Sequence, residues 1–440
     1  MIELDTAKTT KSSQKKIKNA KTKVARENTA KQKKQTPPRA LNYERIIKSV
    51  SRLRPKYLNL SILTAVLALS LFGLLMIYSA SSYNAQVYFN NRYYYFTSQL
   101  VGFILGLTFL AVTYRIDYRL YARFKWVFLG VGAVLLVLVF VPGLGIERLG
   151  AKRWIGLGGF SMQPSEAAKF CFVIFCAAIA ASSHTPSAKG GHPFILKGNL
   201  NDELGRHEVL SFKKILLILL AGCGFCALIL LEPNLSITLC LGITMFIMLF
   251  LCGARKKHLM LLLAPVMVML PVLLVAEPYR VRRLIAFIDP WASPKDEGFQ
   301  LIQSLFGLGG GGLFGVGFGN STQKYMFLPF AESDFIFSIV GEEFGFIGCV
   351  LFMAVLGFLI FKIFKVGREC KDNFGKYLCF GVGVVIFVQS FINIAVVTGT
   401  IPPTGVPLPF LSFGGTSLAV FLGAIGVVLN VHRQNKVKNY

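Results

Sequence analysis

Asp334 stands at the start of a long apolar run, and Glu342 and Glu343 lie inside it, in the stretch FLPFAESDFIFSIVGEEFG (327–345). On a helix the pair sits about 12 Å deeper than Asp334, at ~1.5 Å per residue. A carboxylate at a helix mouth among aromatic residues is desolvated, and desolvation raises its pKa toward the range where it can accept a proton. The same position also suits a helix N-cap, a common task for Asp, and position alone leaves the two readings equal. Glu342 and Glu343 are about 100° apart around a helix and cannot share a face. Acids inside a membrane usually face the bundle interior or a wet cavity, so one is expected to support the site and the other to pair with a neighbouring helix.

Two basic clusters supply the complementary charge. ERLGAKRWIGLGG carries Arg148, Lys152 and Arg153, and YRVRRLIAFIDPW carries Arg280, Arg282 and Arg283. An interfacial helix with snorkelling arginines accounts for such residues. Two clusters on one face favour a cradle for phosphate, because the guanidinium fork matches phosphate geometry. In MQPSEAAKF, Pro164 suits a first helical turn, and Glu166 and Lys169 are three apart and can pair. Lys169 would lie one turn below the surface, within reach of a phosphate. GLGGGGLFGVGFGNSTQK has many glycines but lacks the Walker pattern and a preceding strand. It reads as backbone turning tightly beside the membrane.

The elements that must position these groups are helices. The 440 residues are 54% hydrophobic and 15% charged, and apolar runs long enough to cross ~30 Å of hydrocarbon recur along the chain. The expected fold is an all-α polytopic membrane domain over 58–432. Ten spans are expected, near 58–80, 97–114, 126–141, 165–182, 215–231, 235–252, 259–276, 335–361, 377–397 and 409–431. Residues 1–57 form a basic tail in which 1–56 hold seventeen Lys/Arg against four Asp/Glu, half of the net charge of +26. This composition predicts a disordered arm beside anionic lipid, on the cytoplasmic side; a nucleic-acid role is the weaker reading. With that end inside, every inward loop is basic, and the tail 433–440 is also cytoplasmic.

All five histidines (His184, His192, His207, His258, His432) then fall on inward segments, leaving carboxylates to move protons on the outer face. The nine cysteines lie in spans or inward segments, so they are expected to be free thiols rather than disulfides. Two outward loops are long, 142–164 and 277–334. The second carries enough aromatic residues and glycines to be expected ordered against the membrane domain.

RWIGLGGFSMQPSEAAKF, YRVRRLIAFIDPW, the stretch from GFQLIQSLFGLGGGG to EEFGFIG, and PPTGVPLPFLSFGGTSL resemble in order the signature regions of the SEDS family (shape, elongation, division and sporulation proteins). These are polytopic glycosyltransferases that polymerise lipid II into peptidoglycan strands. The resemblance spans about 58–432, and LEPN and SIVGEEFG look more like the division branch than the rod-shape branch. It implies that Asp334, in SDF where the family has TDF, is the essential acid. It also implies substrate-binding roles for Arg153, Gln163, Glu166, Lys169, Arg280, Arg283 and Lys324, with Glu332, Glu342 and Glu343 in support.

Three departures stand out. Pro329-Phe330-Ala331 replaces the usual PEA and displaces the acid to Glu332. Glu232-Pro233-Asn234-Leu235-Ser236-Ile237 replaces EPDLGT, and Thr404 stands where many division members have Lys. The implied partners are lipid II, the growing glycan, membrane lipids, a class B penicillin-binding transpeptidase and other division proteins, at the septal cytoplasmic membrane. No cofactor is required; a divalent cation is compatible with the arginines, although no ligand cluster demands one. The rivals are a lipid II flippase, which predicts inverted repeats and broken helices, and a non-catalytic division scaffold.

Overall fold

A computed structural model describes residues 58–148, 151–157, 160–182, 186–187, 207–208, 210–275 and 278–437. The basic tail 1–57, His184 and His192 lie outside the described residues. Helices α1 (Leu60–Phe89), α2 (Tyr94–Arg115), α3 (Arg119–Arg123) and α4 (Lys125–Leu138) come first. A small sheet follows: β1 (Gly145–Arg148), β2 (Ala151–Leu157) and β3 (Phe160–Met162). Then come α5 (Pro164–Ala181), two-residue strands β4 (Pro186–Ser187) and β5 (His207–Glu208), α6 (Phe212–Leu231), α7 (Leu235–Leu251) and α8 (Lys256–Val275). The chain closes with α9 (Pro278–Ile288), α10 (Phe299–Gly310), α11 (Ile336–Glu369), α12 (Asn373–Val397) and α13 (Gly415–Val437).

Each of the ten expected spans overlaps one of these helices. Seven (α1, α2, α5, α6, α11, α12 and α13) are long and apolar enough to cross a membrane, and α4 and α7 are shorter apolar helices. The count of ten crossings therefore stays an expectation for α4, α7 and α8. The last helix runs to Val437, five residues past the expected boundary at 432. All nine cysteines are free thiols.

In α5 and α12, 83% of the most apolar stretch is buried, against 28% in α6 and α11. The first two are therefore the central helices, and their polar residues cannot face lipid. Against them pack α4, α7, α11 and α13. The α2–α13 seam is unusually close. A Cβ on Gly102 would come within 2.2 Å of Gly415 Cα, and Thr113 Oγ1 donates across the seam to the Gly423 carbonyl at 2.8 Å. Small residues let helix backbones approach in this way where lipid, not water, is the surrounding solvent.

The glycine-rich stretch has a defined task. Helix α11 breaks at Gly345, with φ 67° and ψ −168°, a conformation essentially reserved for glycine. The chain after α10 fills the break. Val316 and Gly317 donate to the carbonyls of Glu342 and Glu343 at 2.9 and 3.0 Å, while Phe346 and Ile347 donate to Gly312 and Leu313 at 2.9 and 3.2 Å. Every backbone group freed by the break that these bonds reach is thereby satisfied, as a bilayer setting demands. The expectation of tight turns near the membrane was too general, because the glycines repair a helix.

The loop expected at 142–164 is an antiparallel sheet in the order β1-β2-β3, with a bulge at Ile146/Glu147. Its strand alternation was masked in the sequence by glycines and charges.

Candidate active site

Asp334 lies two residues before α11, half-buried. Its Oδ1 accepts from Ser333 Oγ at 3.1 Å. The residue at the helix N-cap is Phe335, and no side chain caps that end. The N-cap reading of Asp334 therefore fails: its carboxyl is not spent on helix amides. Burial pushes the carboxyl up to about 6; the Ser333 hydrogen bond and the charges of Arg283 and Arg153 pull the other way.

Two elements hold this residue, α12 and the segment that joins it to α13. Asn393 of α12 donates from Nδ2 to the Asp334 carbonyl and to the Val406 carbonyl, both at 2.7 Å. Ser412 Oγ donates to the Ser333 carbonyl at 2.6 Å. The segment between α12 and α13 passes so close that a Cβ on Gly405 would lie 3.2 Å from Asp334 Oδ2. Phe330 and Phe410, at φ 56° and 67°, flank the site in a backbone region that bulky residues rarely adopt.

The cations arrive from the two clusters. Along β2 the period of two places Arg153 on the same face as buried Ala151 and Ile155, while Lys152 is exposed. Arg153 Nε and Nη2 donate to the carbonyls of Glu232 and Pro233 at 3.2 and 2.7 Å. On α9, Arg280 and Arg283 are three apart and half-buried, whereas Arg282 is exposed and pairs with Glu297 at 3.1 Å. Arg283 Nη1 donates to the Pro403 carbonyl at 3.3 Å. Arg153 and Arg283 thus come from distant segments into the field of one carboxylate.

Two of the lysines expected to bind substrate are buried and bonded within the protein. Lys169 is fully buried, and its Nζ bonds Glu166 Oε1 at 2.8 Å and Gln389 Oε1. Glu166 Oε2 in turn accepts from Ser417 at 3.1 Å, and Gln389 donates to the Pro407 carbonyl at 2.9 Å. Lys169 is therefore the hub joining α5, α12, α13 and the 403–412 segment, and it does not reach a surface. The sequence identified the Glu166 partner but not Gln389, whose approach depends on helix packing. Lys324 is also buried. It bonds the Gly319 carbonyl and faces Glu343 Oε1 at 3.6 Å. Gln163 precedes α5 in extended conformation and is half-buried, without a side-chain cap bond.

Glu342 and Glu343 diverge, as their angular separation requires. Glu342 accepts from the Thr322 amide at 2.9 Å, Thr322 Oγ1 at 2.6 Å, the Gln323 amide at 3.3 Å and the Ser321 hydroxyl. Glu343 accepts from Ser79 of α1 and faces Lys324. Both carboxylates therefore clamp the 319–324 segment onto the broken helix. Glu332 is buried, with Oε2 unpartnered, and burial is the first cause of its raised pKa. Its carbonyl accepts from Phe413 at 2.9 Å. Thr404 Oγ1 is buried without a partner. Among the described residues, no three His, Cys, Asp or Glu converge as a metal-holding group.

Asn393, Gln389 and Gly405 escaped the sequence reading. For the first two a signal existed: they are four apart in an apolar helix, hence on one face.

Comparison with known proteins agrees with this architecture. The profile of the cell cycle protein family FtsW/RodA/SpoVE matches residues 59–437. A protein of Geobacter sulfurreducens named "Probable peptidoglycan glycosyltransferase FtsW" is 38% identical over 381 residues, covering 86% of this chain and 96% of the relative. The "Stage V sporulation protein E" of Bacillus subtilis is 34% identical over 380 residues, covering 86% and 98%. A chain of a solved complex, described as "Structural coordination of polymerization and crosslinking by a peptidoglycan synthase complex", superposes with a TM-score of 0.68 at 26% identity, covering 86% and 98%. The rod shape determining protein RodA of Thermus thermophilus shares the fold, with a TM-score of 0.60 at 24% identity over 86% and 97% of the two chains. This chain belongs to the FtsW/RodA/SpoVE family, the SEDS proteins that its motifs resemble.

Proposed function

We propose that the protein is a peptidoglycan glycosyltransferase that polymerises lipid II at the outer face of the cytoplasmic membrane, for septal wall synthesis. Asp334 carries this reading. It is a carboxyl group at the mouth of a membrane helix, free of capping duty, with a raised pKa and two arginines in its field. Relatives named as peptidoglycan glycosyltransferases support the substrate class.

The donor is a sugar linked through C1 to a polyprenyl pyrophosphate, and the acceptor is a sugar hydroxyl. In a direct displacement the acceptor oxygen bonds to C1 while the C1–O bond to phosphate breaks. The hydroxyl proton passes to Asp334, and the electron pair leaves with the pyrophosphate. Ionised Asp334 serves as the base. Arg153 and Arg283, with Arg280 on the same helix face, stabilise charge developing on the leaving group. Asn393 and Ser412 hold the backbone on either side of the carboxylate, so the base is positioned before substrate arrives. Lys169, Lys324, Glu166, Glu342 and Glu343 act one layer below, keeping the helices and the 319–324 segment in register.

A flippase would be expected to use a helix break as part of its substrate path. The break in α11 is instead filled by the protein's own backbone, which favours the polymerase. The complex to which this chain is similar supports a membrane-anchored transpeptidase of the penicillin-binding class as partner. Purified protein incubated with lipid II, with and without that partner, tests the reading. Glycan polymer is the expected product, and movement of lipid II between leaflets without polymer would overturn it.

A further inference from the structure

The turn between α6 and α7 contains a carboxyl group that the mechanism above does not use. Glu232 is 0% exposed, and neither Oε1 nor Oε2 has a hydrogen-bond partner. It occupies the C-cap of α6. Asn234 in the same turn spends its Oδ1 on the Ile237 amide and offers Glu232 nothing. Arg153 of β2 acts on the Glu232 carboxyl, and Asp334 feels the same guanidinium.

The guanidinium does not bond the Glu232 carboxyl. Its Nε and Nη2 take the backbone carbonyls of Glu232 and Pro233 instead. A carboxylate buried without a donor carries a far heavier desolvation penalty than a neutral carboxylic acid in the same place. An ionised Glu232 beside Arg153 would also draw the guanidinium into an ion pair. That pairing would take donors from the two carbonyls and cancel the positive charge toward Asp334.

We propose that Glu232 works as a neutral carboxylic acid, a positioning residue that keeps Arg153 anchored on the 232–233 turn with its charge available to an anionic diphosphate. Other enzymes hold a buried carboxyl neutral at pH 7 in the same manner. Burial raises the Glu232 carboxyl to about 8, and Arg153 offsets only part of that rise. The acid is therefore neutral below about pH 8 and ionises above it. The proposal rests on the reading of Arg153 as a pyrophosphate contact.

The test uses the full-length protein, its rate and KM for lipid II measured from pH 6 to 9.5. In the parent, KM is expected to rise severalfold as pH passes about 8. Glu232→Gln, neutral at every pH, is expected to keep at least half of the parental rate at pH 7 and to show no alkaline rise in KM. A parental KM that stays flat between pH 7 and 9 overturns the proposal without any variant. So does a folded Glu232→Gln that keeps the alkaline rise or is inactive at pH 7. Arg153→Ala separates the two levels. Parental activity in that variant overturns the pyrophosphate reading and the proposal with it. A slow Arg153→Ala, beside a Glu232→Gln that still shows the alkaline rise, overturns the proposal alone.

Discussion

Asn393 holds Asp334 by its backbone: one Nδ2 donates to the Asp334 carbonyl and to the Val406 carbonyl, both at 2.7 Å. A single amide on a central helix thus sets the distance between the candidate base and the segment that crosses over it. Asn393 is 1% exposed, so its truncation strands two buried acceptors. Asn393→Ala is expected to lower stability by about 1–3 kcal/mol. It should reduce kcat at least tenfold while changing KM little, because it displaces the base and not the cations. Thermal melting and steady-state kinetics on lipid II measure the two effects.

Asp334→Asn separates base from scaffold. The amide is nearly isosteric but takes no proton at neutral pH, and losing a general base typically removes ~10²–10⁴-fold in rate. A carboxyl whose folded pKa is raised destabilises the fold once it ionises. The Asn variant is therefore expected to melt no lower than the parent at pH 7 while making no detectable glycan on a gel. Glu332→Gln, two residues away, should retain substantial activity. Polymerisation by Asp334→Asn at the parental rate would make Glu332 the next candidate.

The acid side of the pH profile follows from the same carboxyl. The base must be ionised, so kcat/KM is expected to fall as pH drops through about 6, where burial places Asp334. Arg283 pulls that value down. Removing its charge with Arg283→Ala should therefore move the acid limb to higher pH and slow transfer at pH 7 at least tenfold. Arg283→Lys keeps the charge, so the limb should stay in place. The rate should recover only in part, because an ammonium lacks the planar fork. A limb at the parental pH in Arg283→Ala would remove Arg283 from the field of Asp334.

The repaired helix break makes a structural prediction. A Cβ at Gly345 would lie 2.4 Å from the Gly315 amide nitrogen, at a backbone conformation with φ 67°. Gly345→Ala is expected to cost several kcal/mol, combining a clash with backbone and a strained φ. Glu342→Gln keeps the shape but weakens four acceptor contacts. It should destabilise by about 1–3 kcal/mol and loosen the 319–324 segment, read as faster hydrogen exchange there than in the parent. Unchanged exchange in Glu342→Gln would show that the segment is held by other contacts.

What the sequence by itself determined is local. Apolar length located the helices, because covering hydrocarbon and satisfying backbone groups depend on consecutive residues. The three-residue spacing of Glu166 and Lys169 announced their pair, since neighbours on a helix turn meet whatever surrounds them. The motifs marked Asp334 and the arginines. The tertiary structure decided which of these groups face one another.

Arg153 reaches a turn 79 residues away, and Lys169 meets Gln389 across 220. Such contacts are set by how helices and the small sheet pack, which no local pattern encodes. The same packing buried Lys169 and Lys324, filled the break at Gly345 with distant glycines, and left Glu232 without a donor. Charge type can be read from the chain, but a charged side chain acquires its role from burial and partners, and these exist only once the bundle has closed.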